Sequence, residues 1–260
     1  MISHLRRLFD YRGLLWMWTW REIRSRYRQS LLGGLWAILQ PLVVMLVFNV
    51  IFARFLRVPT DGIPYPVFSY SALLFWTFFS TSVSFGTNSL VNNAALLRKI
   101  YFPREILPMA AVGASFVDLV IASSVFAGLM VYYRTAPSLT MLWVIPLLVL
   151  QVLLTLGVIL FSSALNAFYR DLRFVVPLGL QLWMYATPVI YPVSIVPERW
   201  RPFLALNPML GIVEGYRASL LNGQGPDWPT ILPGAIVALA LFLGGYLFFK
   251  RVEGRLADVI

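Results

Sequence analysis

The sequence predicts an all-α integral membrane protein. It has six transmembrane helices, an N-terminal amphipathic helix in the interface, and short re-entrant helices before the last span. Three observations predict this. Only 12% of the 260 residues are charged, against about 25% in a soluble domain, and 59% are hydrophobic. With a mean hydropathy of +0.76, such a chain cannot cover a water-facing surface, so the bilayer is its solvent. Finally, six stretches reach the length of about 20 mostly apolar residues that a crossing helix needs.

The chain reads as one membrane domain over 1–260, with residues 1–30 as a cytoplasmic interface helix. At about 100° per residue, Trp16, Trp20, Ile23 and Tyr27 share one stripe. Arg21, Arg24 and Arg28 form one flank of it, and Glu22 and Arg26 the other. Tryptophans suit the headgroup level and arginines suit lipid phosphates. Two readings stand for this helix: a plain topology anchor, or a lateral mouth where Arg24, Arg26 and Arg28 meet a phosphorylated lipid. Gly33 and Gly34 then let the chain turn from lying flat to crossing.

The spans follow at 31–53, 65–87, 109–133, 141–165, 174–193 and 230–249. The first carries no charge, the second is rich in Phe and Trp, and the third holds one acid, Asp118. An intramembrane acid is costly. It is either a functional group or a structural hydrogen-bond acceptor for a Ser, Tyr or Asn on a neighbouring helix. Residues 194–229 are too long for a simple loop and too polar to span. Their apolar run, Phe203 to Val213, is broken by Pro202 and Pro208 into short helices. Such a length fits a re-entrant piece, or else an external loop resting on headgroups.

An even number of spans puts both termini on one side. The N-terminal segment, the second-to-third loop, the fourth-to-fifth loop and the C-terminus together hold fifteen basic residues, against six on the other side. The positive-inside rule therefore makes both termini cytoplasmic. The same placement explains the net charge of +10 without nucleic acid. The first thirty residues lack a compact apolar core with a cleavage site, so no removable signal peptide is expected.

The missing motifs bear on function. No G-x-x-x-x-G-K-[ST] loop is present, no cysteine exists, and the single histidine is His4. Nucleotide binding of that kind, thiolate metal sites and a Ser-His-Asp triad have no residues to use. One intramembrane acid is few for a proton-driven pump. In the second-to-third loop, Leu96, Leu97, Ile100 and Tyr101 fall on one face of a short helix beside Arg98 and Lys99. Pro103 ends it. This helix either docks into a groove of a partner protein or rests on lipid. The aromatics Phe75, Trp76, Phe79, Trp183, Tyr185 and Tyr191 fit either a membrane belt or a channel whose rings stack on sugar faces.

Four segments in this order, RSRYRQSLLGGLWAILQPL, LLRKIYFPREILP, NAFYRDLR and NPMLGIVEGYR, resemble the ABC-2 type permeases that export bacterial surface polysaccharides. The likeness spans nearly the whole chain and is strongest to O-antigen and teichoic acid exporters, with capsular polysaccharide permeases further away. The resemblance implies a homodimer of six-span subunits in the inner membrane. Two copies of a separate cytoplasmic subunit would bind ATP and Mg. Leu96, Leu97, Arg98, Lys99, Ile100, Tyr101 and Phe102 would be the coupling helix that touches that ATPase. The substrate would be a glycan on a polyprenyl diphosphate, met by Arg24, Arg26 and Arg28. Asn207, Glu214, Tyr216 and Arg217 would belong to an external gate region. Two alternatives stay open: a drug or small-lipid exporter of the same superfamily, and an integral membrane transferase. The transferase would need clustered acids at one surface, where the sequence offers Glu198, Glu214 and Asp227.

Overall fold

A computed structural model describes residues 10–28, 30–60, 62–100 and 102–256. Among them every regular element is helical. Helix α1 (Arg12–Tyr27) leads through a 3-10 turn at Gly33–Leu35 into α2 (Trp36–Phe48), which widens into a π-helical end at Asn49–Phe55. Gly33 takes a φ of 51°, the left-handed corner that a residue with a side chain resists. Then come α3 (Tyr65–Asn92), the single turn α4 (Ala94–Leu97), α5 (Ile106–Tyr132), α6 (Val144–Phe168) and α7 (Leu172–Ala186). The short α8 (Arg201–Ala205) and α9 (Pro208–Leu220) precede the final α10 (Trp228–Val252).

Among the described residues, four helical stretches are long and apolar enough to cross a bilayer: Gly33–Phe55, Ile106–Tyr132, Leu139–Phe168 and Trp228–Arg255. The other two expected spans differ for physical reasons. Helix α3 has 28 residues, about 42 Å at 1.5 Å per residue, ample length for a bilayer. Its hydropathy is lowered by hydroxyls, and these are buried: Ser69, Ser71, Ser82, Thr87 and Ser89. Most bond to carbonyls of their own helix, as Ser69 does to Tyr65 (2.9 Å) and Thr87 to Val83 (2.7 Å). The fifth expected span, 174–193, stops being helical at Ala186. Pro188 forces the preceding Thr187 into extended geometry (ψ 138°), so α7 is only 15 residues long.

Helix α3 forms the centre, with α2, α5, α6, α7 and α9 around it. One large apolar core surrounds its upper two thirds, built from residues such as Tyr70, Phe79, Leu154, Ile159 and Ile212. A smaller second core joins Leu90, Leu97, Phe102, Ile106, Phe249 and Leu256 at the other end. Helices α6 and α10 make the tightest pair. A Cβ placed on Gly157 would lie 2.6 Å from the Phe242 backbone, and one on Gly245 would collide with the Gly157 carbonyl. In an apolar solvent such backbone approach is what holds helices together. By contrast α2 buries only Pro41 and Met45, and α7 only Leu180.

Candidate functional site

Helix α1 is fastened along one face to α5. Thr19, its one buried residue, sits where a Cβ on Gly113 would be 2.9 Å from the Thr19 hydroxyl. One to two turns on, Arg26 reaches the intramembrane acid: its Nη1 donates to Asp118 Oδ2 at 3.0 Å and to Ser115 at 3.1 Å. Its Nη2 donates to the Ala111 carbonyl at 3.2 Å, and Nε lies 3.5 Å from Glu22. The guanidinium also lies 3.9 Å from the centre of the Phe85 ring. Tyr27 donates to Asp118 Oδ1 at 2.6 Å. Burial first, and then the bond to Asp118, push the Tyr27 pKa up, so its hydroxyl stays a neutral donor. Asp118 thus has the neighbouring-helix tyrosine foreseen for it, and an arginine besides.

The structure does not bring Arg26 together with Arg24 and Arg28. The Arg26 side chain is 5% exposed, while Arg24 and Arg28 are exposed on the opposite side of α1. Those two, with Arg21, Ser25 and Tyr27, surround a surface hollow of about 650 Å³. Trp16 and Trp20 also point outward, and Arg24 stacks 5.4 Å from the Trp20 ring centre. The outward stripe is therefore Trp16, Trp20 and Arg24, while Ile23 and Tyr27 turn partly inward. Behind Tyr27 lies a cavity of about 190 Å³ between α1, α2, α3 and α5. Composition and spacing gave no signal for it, because it exists only where four helices meet.

Of the segment Leu96 to Phe102, expected to dock a partner, only the start is helical, in the single turn Ala94–Leu97. Leu97 is buried, whereas Arg98, Lys99 and Ile100 are exposed, so Leu97 and Ile100 do not share a face. Leu96 is half-buried against the smaller core, and Tyr101 lies outside the described residues. Phe102 is buried and stacks on Trp18 of α1 (6.2 Å between ring centres). Arg21 donates to the Asn93 side chain at 3.0 Å. At the far end of the segment the buried Glu105 meets Lys250 of α10 at 2.5 Å, and Lys250 also bonds Glu253 at 2.9 Å. Arg104 bonds the Glu253 backbone carbonyl. A cationic, partly apolar turn is thus presented on buried anchors.

The opposite end is organised by Arg217, which is 3% exposed. Its two terminal nitrogens donate to the carbonyls of Pro188 (2.6 Å) and Val189 (2.8 Å), left open where α7 unwinds. Glu214 pairs with it at 2.9 Å, the local i, i+3 pair the spacing offered. The Tyr65 hydroxyl donates to the next carbonyl, Ile190, at 2.9 Å. Each of these three carbonyls, freed where α7 ends, thus receives a donor. Asn207 caps α9 through Met209 N (3.1 Å) and accepts from Trp183 Nε1 (2.8 Å). Tyr216 stacks flat on Phe75 and donates to Gln151 at 2.9 Å. Phe75, Trp76 and Phe79 are core side chains of the subunit. The ring-lined path expected from sequence narrows to Tyr185, which is 53% exposed, and the partly buried Trp183 and Tyr191. Trp200 and Phe203, two exposed rings beside Trp183, line an external hollow of about 460 Å³ with it. Sequence reasoning passed over them, although two aromatics three apart beside Arg199 and Arg201 were a visible cluster.

This arrangement defines a helical protein with long apolar helices, an exposed cationic turn at one end and a proline-broken, arginine-braced segment at the other. The ABC-2 type transporter family matches residues 13–221, and the chain belongs to that family. It is similar to the O-antigen export system permease protein RfbA of Myxococcus xanthus, at 33% identity over 100% of both chains. The protein of the same name from Klebsiella pneumoniae is 31% identical over 97% of this chain and 96% of its own. The polysialic acid transport protein KpsM of Escherichia coli is 24% identical over 92% of this chain and 93% of its own. These relatives are named as transport components, and the chain is a transport permease rather than an enzyme.

Proposed function

We propose that this chain is the membrane subunit of an ABC exporter that moves a lipid-linked surface polysaccharide, an O-antigen, across the cytoplasmic membrane. The observation that carries this reading is the end-to-end similarity to O-antigen export permeases, 33% over both full lengths. The lower identity to the polysialic acid transport protein, 24%, gives capsular export less support. In this reading α3 and α7 complete a set of six spans with both termini cytoplasmic. Two copies assemble through the sparsely covered α2 and α7, the outward face of α7 carrying Gly179 and Gln181 among apolar side chains. ATP and Mg bind to a separate subunit, which docks on the turn from Leu96 to Phe102, with Arg98, Lys99 and Ile100 as the exposed contacts. Arg24 and Arg28 receive the diphosphate of the carrier at the cytoplasmic surface, since arginine pairs bidentately with phosphate.

The test is purification from native cells in mild detergent, followed by mass spectrometry and an ATPase assay. A copurifying P-loop protein is expected, with ATP hydrolysis that falls at least tenfold on Arg98→Glu/Lys99→Glu. A stable, dimeric preparation with no ATPase partner overturns the proposal.

A further inference from the structure

Tyr27 is the wall between two hollows of opposite character. On its outer side stand the exposed Arg24 and Arg28; on its inner side lies the cavity that Asp118 lines. We propose that the two form one bipartite site for a phosphate-linked, hydroxyl-rich head group, with the phosphate on the arginines and the adjoining polyol in the cavity. For the lipid-linked glycan of the reading above, on which this rests, that polyol is the first sugar.

Charge divides the two halves. Arg26 is committed to Glu22, Asp118, Ser115 and a backbone carbonyl. Arg26 and Asp118, the charged residues that line the cavity, cancel each other, so the cavity offers a phosphate no net positive charge. The outer arginines attract one. Hydrogen-bonding capacity points the same way. Asp118 accepts one bond on each oxygen, which leaves further lone pairs for hydroxyl donors. Gln40, Thr77 and Thr81 line the same space. Among the described residues no hydrogen bond involves their side-chain polar atoms. Thr77 and Thr81 are four apart on α3 and so lie one above the other on one face. Polar groups at membrane depth without partners are costly, and a polyol supplies both donors and acceptors. Trp36 and Phe78 add ring surface suited to the C–H face of a sugar. Pockets for drug-sized ligands run about 300–1,000 Å³, so about 190 Å³ suits a single ring rather than a chain.

The same chemistry has two sources, the carrier-linked glycan and a membrane lipid with a polyol head, and the experiment separates them. The protein is placed in phosphatidylcholine nanodiscs and titrated with three probes: polyprenyl diphosphate, the same lipid bearing one hexose, and phosphatidylglycerol. Binding is read by quenching of tryptophan fluorescence and by native mass spectrometry. The hexose-bearing lipid is expected to bind about tenfold more tightly than bare polyprenyl diphosphate. Thr77→Val/Thr81→Val, nearly isosteric at partly exposed positions, should erase that advantage and leave the bare lipid's affinity unchanged. Gln40→Met should reduce it in the same direction. Arg24→Gln/Arg28→Gln should weaken both diphosphate lipids alike. Phosphatidylglycerol binding as tightly, and losing as much with Thr77→Val/Thr81→Val, would keep the site and assign it to a membrane lipid. Equal affinity of wild type for the hexose-bearing and bare lipids would overturn the polyol half and leave the transport reading intact. Indifference of all three probes to Arg24→Gln/Arg28→Gln would overturn the phosphate half; the copurified ATPase would still decide the transport reading independently.

Discussion

An arginine and an aspartate that lie 92 residues apart in sequence meet beside the middle of α5, 3.0 Å from each other. With side chains 5% and 18% exposed, this is a buried pair. Removing one partner strands the other, which costs about 3–5 kcal/mol, whereas replacing both with apolar residues costs far less. Arg26→Met and Asp118→Ala should each lower the thermal midpoint of the purified protein by several degrees, and Arg26→Met/Asp118→Leu should recover most of the loss. A double variant no better than either single would refute the pairing. Arg217 poses a different case. Its planar fork spans two carbonyls at once, which a single ammonium cannot do with the same geometry. Arg217→Lys should therefore destabilise nearly as much as Arg217→Met. The helical spacing of α1 was enough to put Arg26 and Glu22 on a different flank from Arg24 and Arg28. It could not say that Asp118 waited on that flank, because residue spacing gives register within a helix and none between helices.

Helices that sequence periodicity reads well here are those whose chemistry matches their solvent. Helices α2, α5, α6 and α10 are apolar and their spans were legible from composition. Helix α3 was legible by length alone, since its buried hydroxyls depress hydropathy while most of them bond to carbonyls of their own helix. Helix α7 was overextended in the sequence reading, which ran through Pro188 to 193; the proline's demand on Thr187 ends the helix, and Arg217 and Tyr65 receive the freed carbonyls. Proline positions did locate α8 and α9, whose first turns carry Pro202 and Pro208. The contact between α6 and α10 was not legible, because Gly157 and Gly245 look like ordinary small residues in two apolar runs. Gly157→Leu should lower thermal stability by at least the 1–3 kcal/mol typical of overpacking. Gly244→Leu, one residue from Gly245 on an open face where a Cβ meets nothing within 4 Å, should cost little. Equal effects of the two would remove the close approach as their cause.

At the scale of the whole molecule, absence of cysteine makes the chain its own labelling scaffold. The proposed orientation, both termini cytoplasmic, predicts that Asn92→Cys reacts with an impermeant maleimide only in inverted vesicles, and Gln224→Cys only from outside the intact inner membrane. The reverse pattern would invert the topology. Basic-residue counts are what predict this orientation, whereas the mutual arrangement of the flanking helices came only from the folded chain. The close seating of Gly157 on Gly245 has a mechanical consequence. Two helices whose backbones touch have no side-chain layer to slide on, so they behave as one stiff beam. Glu105 and Lys250 bolt the segment that follows Leu97 to one end of that beam. A push delivered there cannot be absorbed between α6 and α10. It passes along the pair as along a rigid rod, and the play has to appear at the loosely held flanks, α2 and α7.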